Sequence, residues 1–344
     1  MAYRASGQTG TIALVGATGT VGQTILEQLY HSNVGLDIII YSTTTEKSSA
    51  LIDDLRHAHQ KMCGPRLHVG EDPEKELKYA DVFVHVAGRP RKPEETRDDL
   101  ASGNAKIADL WATYLRDSST RDKYPTVIVV SNPVPAVTEL MLRRTGFPRH
   151  NVLGSGPELD KNRIAIEIAK YHNLTGKNMD GHVWGDHGNE YLVAPLKYIK
   201  VKGALLTDYL QSDGGTDKLD EIRKIIEGAK KGSQKIVEKL GKTMYGPAED
   251  VVELVRFVLQ SDGTMNTMYN AVVHYDGEYG IKGISMAAPV KLRQGGWEKI
   301  NTYPLGDQEK DLIISAKHVA NTTRVALEAV GIDFPEYEEL MSLE

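Results

Sequence analysis

The chain has 344 residues, 40% of them apolar, which is enough for two domains or one large one around a substantial core. Its 41 Lys and Arg against 47 Asp and Glu leave a net charge of -6, with no general attraction to phosphate backbones or anionic lipid. The single cysteine, Cys63, excludes an internal disulfide and any multi-cysteine metal site. The opening MAYRASGQTG is polar and too short for a signal peptide, and no apolar run reaches the roughly 20 residues of a membrane span. A cytoplasmic protein without nucleic-acid or membrane partners is expected.

In chain order, Thr11 to Val15 (TIALV) is a short apolar run, followed by GATGTVG and then by ILEQLYHS at helical spacing. This reads as strand, glycine turn, helix. Apolar runs at 36–41 (LDIIIY), 81–88 (DVFVHVAG) and 126–133 (TVIVVSNP) alternate with helix-like segments such as SSALIDDLRHAHQ and NAKIADLWATYL. Strands separated by helices predict an α/β fold, a Rossmann-type doubly wound parallel sheet whose ligand sits at the carboxyl ends of the strands. After about Gly154 the pattern changes to LDKNRIAIEIAKYH, shorter irregular stretches, helical patterns near 218–240 and 248–260, hairpin-like runs, and a helical segment from Asp307 to Val330. The expected organisation is a dinucleotide-binding domain over 1–153 and an α+β substrate domain over 154–344.

Gly16, Gly19 and Gly22 suit a turn where backbone approaches a pyrophosphate at a helix N-terminus, although a merely tight strand-helix turn has the same spacing. Competing chemistries are weak. Short-chain dehydrogenases need Tyr-x-x-x-Lys on a helix, and the nominal match, Tyr198 to Lys202 (YIKVK), alternates like a strand. Aspartate-semialdehyde dehydrogenases need a cysteine nucleophile, and Cys63 falls too early, in an apparent helix where a packed role suits it better.

Four features lie where the sheet would present them. The stretch RPRKPEETRDD, Arg89 to Asp99, follows a strand and its charges sum to zero, so it is a solvated loop or an anion-holding one. Asn132 in VVSNPV ends another strand, where an amide can bond a substrate oxygen or cap a turn. LDKNR sets Asp160 and Arg163 three apart on one helix face, which an intrahelical ion pair would also explain. His187 in VWGDHGNE sits in a glycine-flanked turn and could exchange a proton near neutral pH.

Taken in order, GATGTVG, AGRPRKPEETRDDL, NAKI, SNPV, GSGPELDKNR and GDHGNE, with GPAEDVVELV and DGEYGIKGI in the last third, resemble the L-lactate/malate dehydrogenase family, most of all its malate dehydrogenases. The resemblance covers nearly the whole chain. It implies that His187 gives and takes the proton with Asp160 as its partner, that Arg163 clamps the substrate's C1 carboxylate, and that Arg97 on a closing loop polarises the carbonyl. Asn132 would bond the substrate and Thr243 would line the pocket wall. Gly16, Ala17, Thr18, Gly19, Thr20, Val21 and Gly22 would hold the dinucleotide, with Ala87, Gly88, Asn104, Val130 and Asn132 also contacting it. Arg91 matches the position that grips a second carboxylate in malate dehydrogenases, where lactate enzymes carry an uncharged residue. The implied activity is a reversible NAD(P)-dependent hydride transfer between malate and oxaloacetate, in a homotetramer or homodimer. The alternatives are a lactate or other 2-hydroxyacid dehydrogenase and a dinucleotide-binding protein without this redox chemistry.

Two departures from the family carry consequences. NAD-specific members end the second strand with a carboxylate for the ribose hydroxyls, whereas Tyr41 stands there, followed by Ser42, Thr43, Thr44 and Lys47. The missing carboxylate removes a repulsion against the 2'-phosphate, and the hydroxyls and Lys47 could bind it, so NADP, alone or beside NAD, is expected. Alternatively, Tyr41 stacks on adenine, the hydroxyls cap the next helix and Lys47 is solvated. The second departure, HGNEYLVAPL, is one residue longer than the family's usual segment and affects pocket contacts beyond Gly188.

Overall fold

β1 (Gly10–Val15), β2 (Leu36–Tyr41), β3 (Arg66–Val69), β4 (Val82–His85), β5 (Thr126–Val129) and β6 (Val152–Gly154) lie side by side in the order β3-β2-β1-β4-β5-β6, every pair parallel. The computed structural model describes residues 10–31, 35–60, 64–90, 94–120, 123–188, 190–212, 218–260 and 268–335. Arg91, Cys63 and Asn189 fall outside the described residues, as does the side chain of Arg97.

β1 and β2 are buried along their whole length because helices cover both faces, which is why they read as unbroken apolar runs. Alternation still sorts their side chains. Ile12, Leu14, Ile38 and Ile40 enter one core, with Ile25 and Leu26 of α1 (Thr20–Tyr30) and Ile52 of α2 (Thr45–Ala58). After the short α3 (Pro73–Glu76), the opposite face is covered by α4 (Arg97–Ser118) and α5 (Val134–Thr145). Ala13, Val15, Ile39 and Tyr41 enter this second core with Ala101, Ala105, Ala108 and Ala112 of α4, a stripe of small residues on a helix that packs mostly on α5 and α11. The chain leaves β1 toward β3 and returns to β4 on its other side. A crevice therefore opens at the carboxyl ends of β1 and β4.

α6 (Pro157–Tyr171) follows, then the short strands β7 (Met179–Asp180), β8 (Trp184–Gly185), β9 (Leu192–Val193), β10 (Lys200–Val201) and β11 (Ala204–Leu205). Next come α7 (Leu206–Ser212), α8 (Leu219–Lys230), α9 (Gly232–Leu240), α10 (Tyr245–Gln260), β12 (Met268–Asp276), β13 (Lys282–Arg293), β14 (Gly296–Ile300) and α11 (Glu309–Glu328). The helical pattern expected near 218–240 is thus two helices, interrupted at Lys231 just before Gly232. YIKVK is only partly the strand its alternation predicts: Tyr198 ends a single 3-10 turn, Lys200 and Val201 form β10, and Lys202 takes a positive φ of 49°.

The sheet does not stop at the expected division between 153 and 154. That point lies inside β6, which pairs with β12 at Val272 and Gly154, and β13, β8 and β9 extend the same sheet. α11 returns to pack on α4 and α5, closing the second core with Ala326 and Leu327. Among the described residues no helix is long and apolar enough to cross a membrane.

Candidate active site

The glycine turn connects β1 to α1 at the crevice. Gly16 has φ of 89°, and a Cβ there would lie 2.6 Å from the Ala87 amide nitrogen, so both the backbone angle and the close approach of β4's continuation require glycine. A Cβ on Gly22 would meet the Gly16 carbonyl oxygen at 2.4 Å, which fixes the helix against the turn. Gly19 caps α1 without a side-chain hydrogen bond. The first-turn amides therefore remain available to an anion. Lys242, from the loop before α10, reaches Thr20 Oγ1 at 3.2 Å and adds a cation beside that turn.

Across the crevice, α6 and the turn after β8 bring Asp160 and His187 together. Asp160 is buried, and its Oδ2 accepts from His187 Nδ1 at 2.6 Å and from the Gly188 amide at 2.9 Å, while Oδ1 accepts from Arg163 Nη1 at 2.6 Å. Burial alone would push the imidazole down, but the Asp160 carboxylate outweighs it, and His187 is held above its ordinary value of 6.5 with Arg163 opposing. Burial would likewise raise Asp160, yet His187, Arg163 and the Gly188 N–H together keep it below the usual carboxylate range. The ring lies over Gly156, where a Cβ would be 2.4 Å from Nε2. The Gly156 amide in turn donates to Asp250 at 2.5 Å; burial pushes that carboxyl up to about 7, against hydrogen bonds from Tyr269 and Gly156. With Nδ1 committed to Asp160, Nε2 is the ring atom left to exchange a proton with a ligand.

His187 and Gly188 form one wall of a 670 Å³ cleft, with Val21, Gly88, Asn104, Val130, Ser131 and Asn132 on the other side. A larger cavity of 950 Å³ lies between the segment 190–197, α8 and the start of α11, and His187, Asp160 and the glycine turn do not line it. Thr96 caps α4 through a reciprocal contact with Asp99, which makes Arg97 the first helical residue, three before the cleft residue Leu100. Arg89 ties down the loop by donating to Glu95 at 2.6 Å and to the Asp99 carbonyl at 2.8 Å.

Models for the lactate/malate dehydrogenase NAD-binding domain and for the family's alpha/beta C-terminal domain match residues 11–154 and 157–323. This chain belongs to the lactate/malate dehydrogenase family. It is an oxidoreductase of that family, built to take a nicotinamide dinucleotide. Its relatives carry both names. A malate dehydrogenase of Sorangium cellulosum is 32% identical over 91% of this chain and 96% of its own length. A probable L-lactate dehydrogenase of Schizosaccharomyces pombe is 28% identical over 94% of this chain and 93% of its own. The crystal structure of malate dehydrogenase from Plasmodium falciparum superposes with a TM-score of 0.83 at 22% identity, covering 93% of this chain and 99% of that one.

The cleft fits the family's dinucleotide on its own evidence: open amides at the start of α1, glycine where backbone must come close, and Ser131 Oγ, buried in the wall with no hydrogen-bond partner among the described residues. Two expected contacts need correction, those of Tyr41 and Thr243. Tyr41 falls on the α4 side of β2 by strand parity, so its ring is buried against Trp111 and its hydroxyl donates to Glu76 at 2.9 Å; only its carbonyl serves the site, accepting from the amides of Gly16 and Ala17. Asn104 lines the cleft with its amide engaged, accepting from the Arg89 N–H at 2.9 Å and donating to the Asn132 carbonyl at 2.6 Å. Thr243 is half-buried and is not among the described residues lining the cleft.

The hydroxyls after β2 are also used locally. Thr44 caps α2, Ser42 Oγ donates to the Thr44 carbonyl at 2.7 Å, and Lys47 Nζ lies 3.3 Å from Thr43 Oγ1. Ser131, Lys242 and Gly156 were not picked out by sequence reasoning. Gly156 carried a signal, in GSGPELD, because a glycine just before Pro at a helix start invites a close neighbour.

Proposed function

We propose that the chain is an NAD(P)-dependent malate dehydrogenase interconverting malate and oxaloacetate. The observation that carries the reading is the His187 to Asp160 contact at 2.6 Å in the wall of the cleft. When bound, the nicotinamide supplies or takes up the hydride at the substrate's C2. In reduction, His187 Nε2 donates a proton to the carbonyl oxygen, and in oxidation it removes the hydroxyl proton, with Asp160 holding the tautomer and stabilising the charged ring. Arg163 offers its guanidinium fork to the C1 carboxylate, and Arg97 polarises the reacting oxygen as the loop closes and excludes water. Arg91 supports malate over lactate, because a cation enclosed above pyruvate's methyl group would be desolvated without a partner. The assembly expected is a homotetramer or homodimer.

The cofactor reading is NADP, or both forms. It rests on the segment from Tyr41 to Thr45, which carries four hydroxyls after the strand and no carboxylate, with Lys47 following. The direct test is an initial-rate assay with oxaloacetate or pyruvate, each with NADH and NADPH. Oxaloacetate turnover with NADPH at least matching NADH is expected. Strong NADH preference would remove the NADP reading, and faster turnover of pyruvate would remove the malate one.

Asp160→Asn gives a sharper check on the proton path. Because the carboxylate is what lifts His187 above its ordinary value, the amide leaves burial and Arg163 to act alone. Reduction needs the protonated ring, so its rate is flat at low pH and falls as pH rises through the His187 value. In the variant that falling limb moves to lower pH, and turnover drops by about a hundredfold or more. An unmoved limb would mean another group sets it.

A further inference from the structure

α1 and α2 both begin at the crevice edge of the sheet and both end at the opposite edge. Eleven residues of helix set the last turn of α1 about 15 Å from the glycine turn. At those far ends stand Glu27 and His31, one turn apart on α1, and His59, the residue that closes α2. Each histidine directs Nε2 at the same carboxylate: His31 lies 3.2 Å from Oε1 of Glu27 and His59 lies 2.8 Å from Oε2. The three ligand-capable atoms lie within 4.8 Å of one another.

We infer that Glu27, His31 and His59 form a surface site for a borderline-soft divalent transition metal such as zinc, separate from the catalytic cleft. Two imidazoles and one carboxylate are the donor set such ions take, with bonds of roughly 2.0–2.1 Å and water completing a tetrahedron. Tetrahedral ligands at that bond length stand about 3.3 Å apart, so three atoms within 4.8 Å of one another would have to draw in around an ion by side-chain rotation at Glu27 and at the imidazoles. Magnesium and calcium demand oxygen ligands and are poorly served.

The ligands are held in part before any ion arrives. His59 stacks on Tyr30 with ring centroids 4.6 Å apart, and the His31 ring meets His59 edge-on at 5.3 Å. Glu27 and His31 are exposed, whereas the His59 side chain is 9% exposed. An ion can reach the site without the fold opening. Binding would cross-link the ends of two helices whose beginnings frame the cofactor turn.

The test is calorimetric titration of the full-length, metal-stripped protein with zinc chloride, followed by cobalt chloride read by visible absorption. One zinc per chain with no competition from excess magnesium is expected, and cobalt should give the intense bands of a four-coordinate site. His31→Ala and Glu27→Gln should each weaken binding by about a hundredfold, while the metal-free melting temperature and the oxidoreductase rate stay unchanged, because both side chains are exposed and remote from the cleft. Absence of zinc binding overturns the inference. So does binding that both variants retain, which would put the ion at another group.

Discussion

Replacing His187 with Ala is expected to lower turnover about a thousandfold and to leave dinucleotide binding within a few-fold of the parent. The magnitude is that of a positioned general acid-base group, lost with nothing to replace it. In the proposed reaction His187 would exchange protons through the ring atom opposite Asp160, and no other imidazole is paired with a carboxylate on that wall at so short a distance among the described residues; His318 lies 3.5 Å from Asp186, beside it. The glycine turn and the start of α1, expected to hold the cofactor, are separate elements of the chain, so its affinity should not depend on the ring. Steady-state rates and fluorescence titration with NADH or NADPH separate the two effects. Turnover within tenfold of the parent would remove His187 from the reaction, and the nearby His318 would become the group to test.

Arg91→Gln is expected to reverse substrate preference, costing oxaloacetate reduction far more than pyruvate reduction. A cation enclosed over a methyl group stands desolvated and unpaired at a cost of several kcal/mol, while oxaloacetate's second carboxylate supplies the partner. At about 1.4 kcal/mol per factor of ten, roughly 4 kcal/mol corresponds to a thousandfold swing in the ratio of kcat/KM values. The swing would be smaller if a neighbouring carboxylate satisfied Arg91 in the parent. Glu94 and Glu95 are the candidates, and Glu95 already accepts from Arg89 at 2.6 Å. An unchanged ratio would show that Arg91 does not face the substrate's distal end.

Much of the first half was legible because its signals are local. The strand over 36–41 has the bounds its apolar run predicts, and the glycine turn falls between strand and helix where the spacing puts it. What escaped were outcomes of contacts made far along the chain. Tyr41 and Ser42 are adjacent letters, yet strand parity sends the first into the α4 core, and the chain alone does not say which face α4 covers.

The sequence by itself determined the alternation of strands and helices, the cofactor class and the residue types available for proton transfer, because periodicity and turn chemistry act over a few residues. Only the tertiary structure decided that Asp160 meets His187 across 27 positions, that Gly156 must lack a side chain beneath the ring, and that one sheet runs through the expected domain boundary. The physical reason is that these contacts form between segments joined by the folded core. Their geometry is set by which faces the core buries, and no local pattern carries that information.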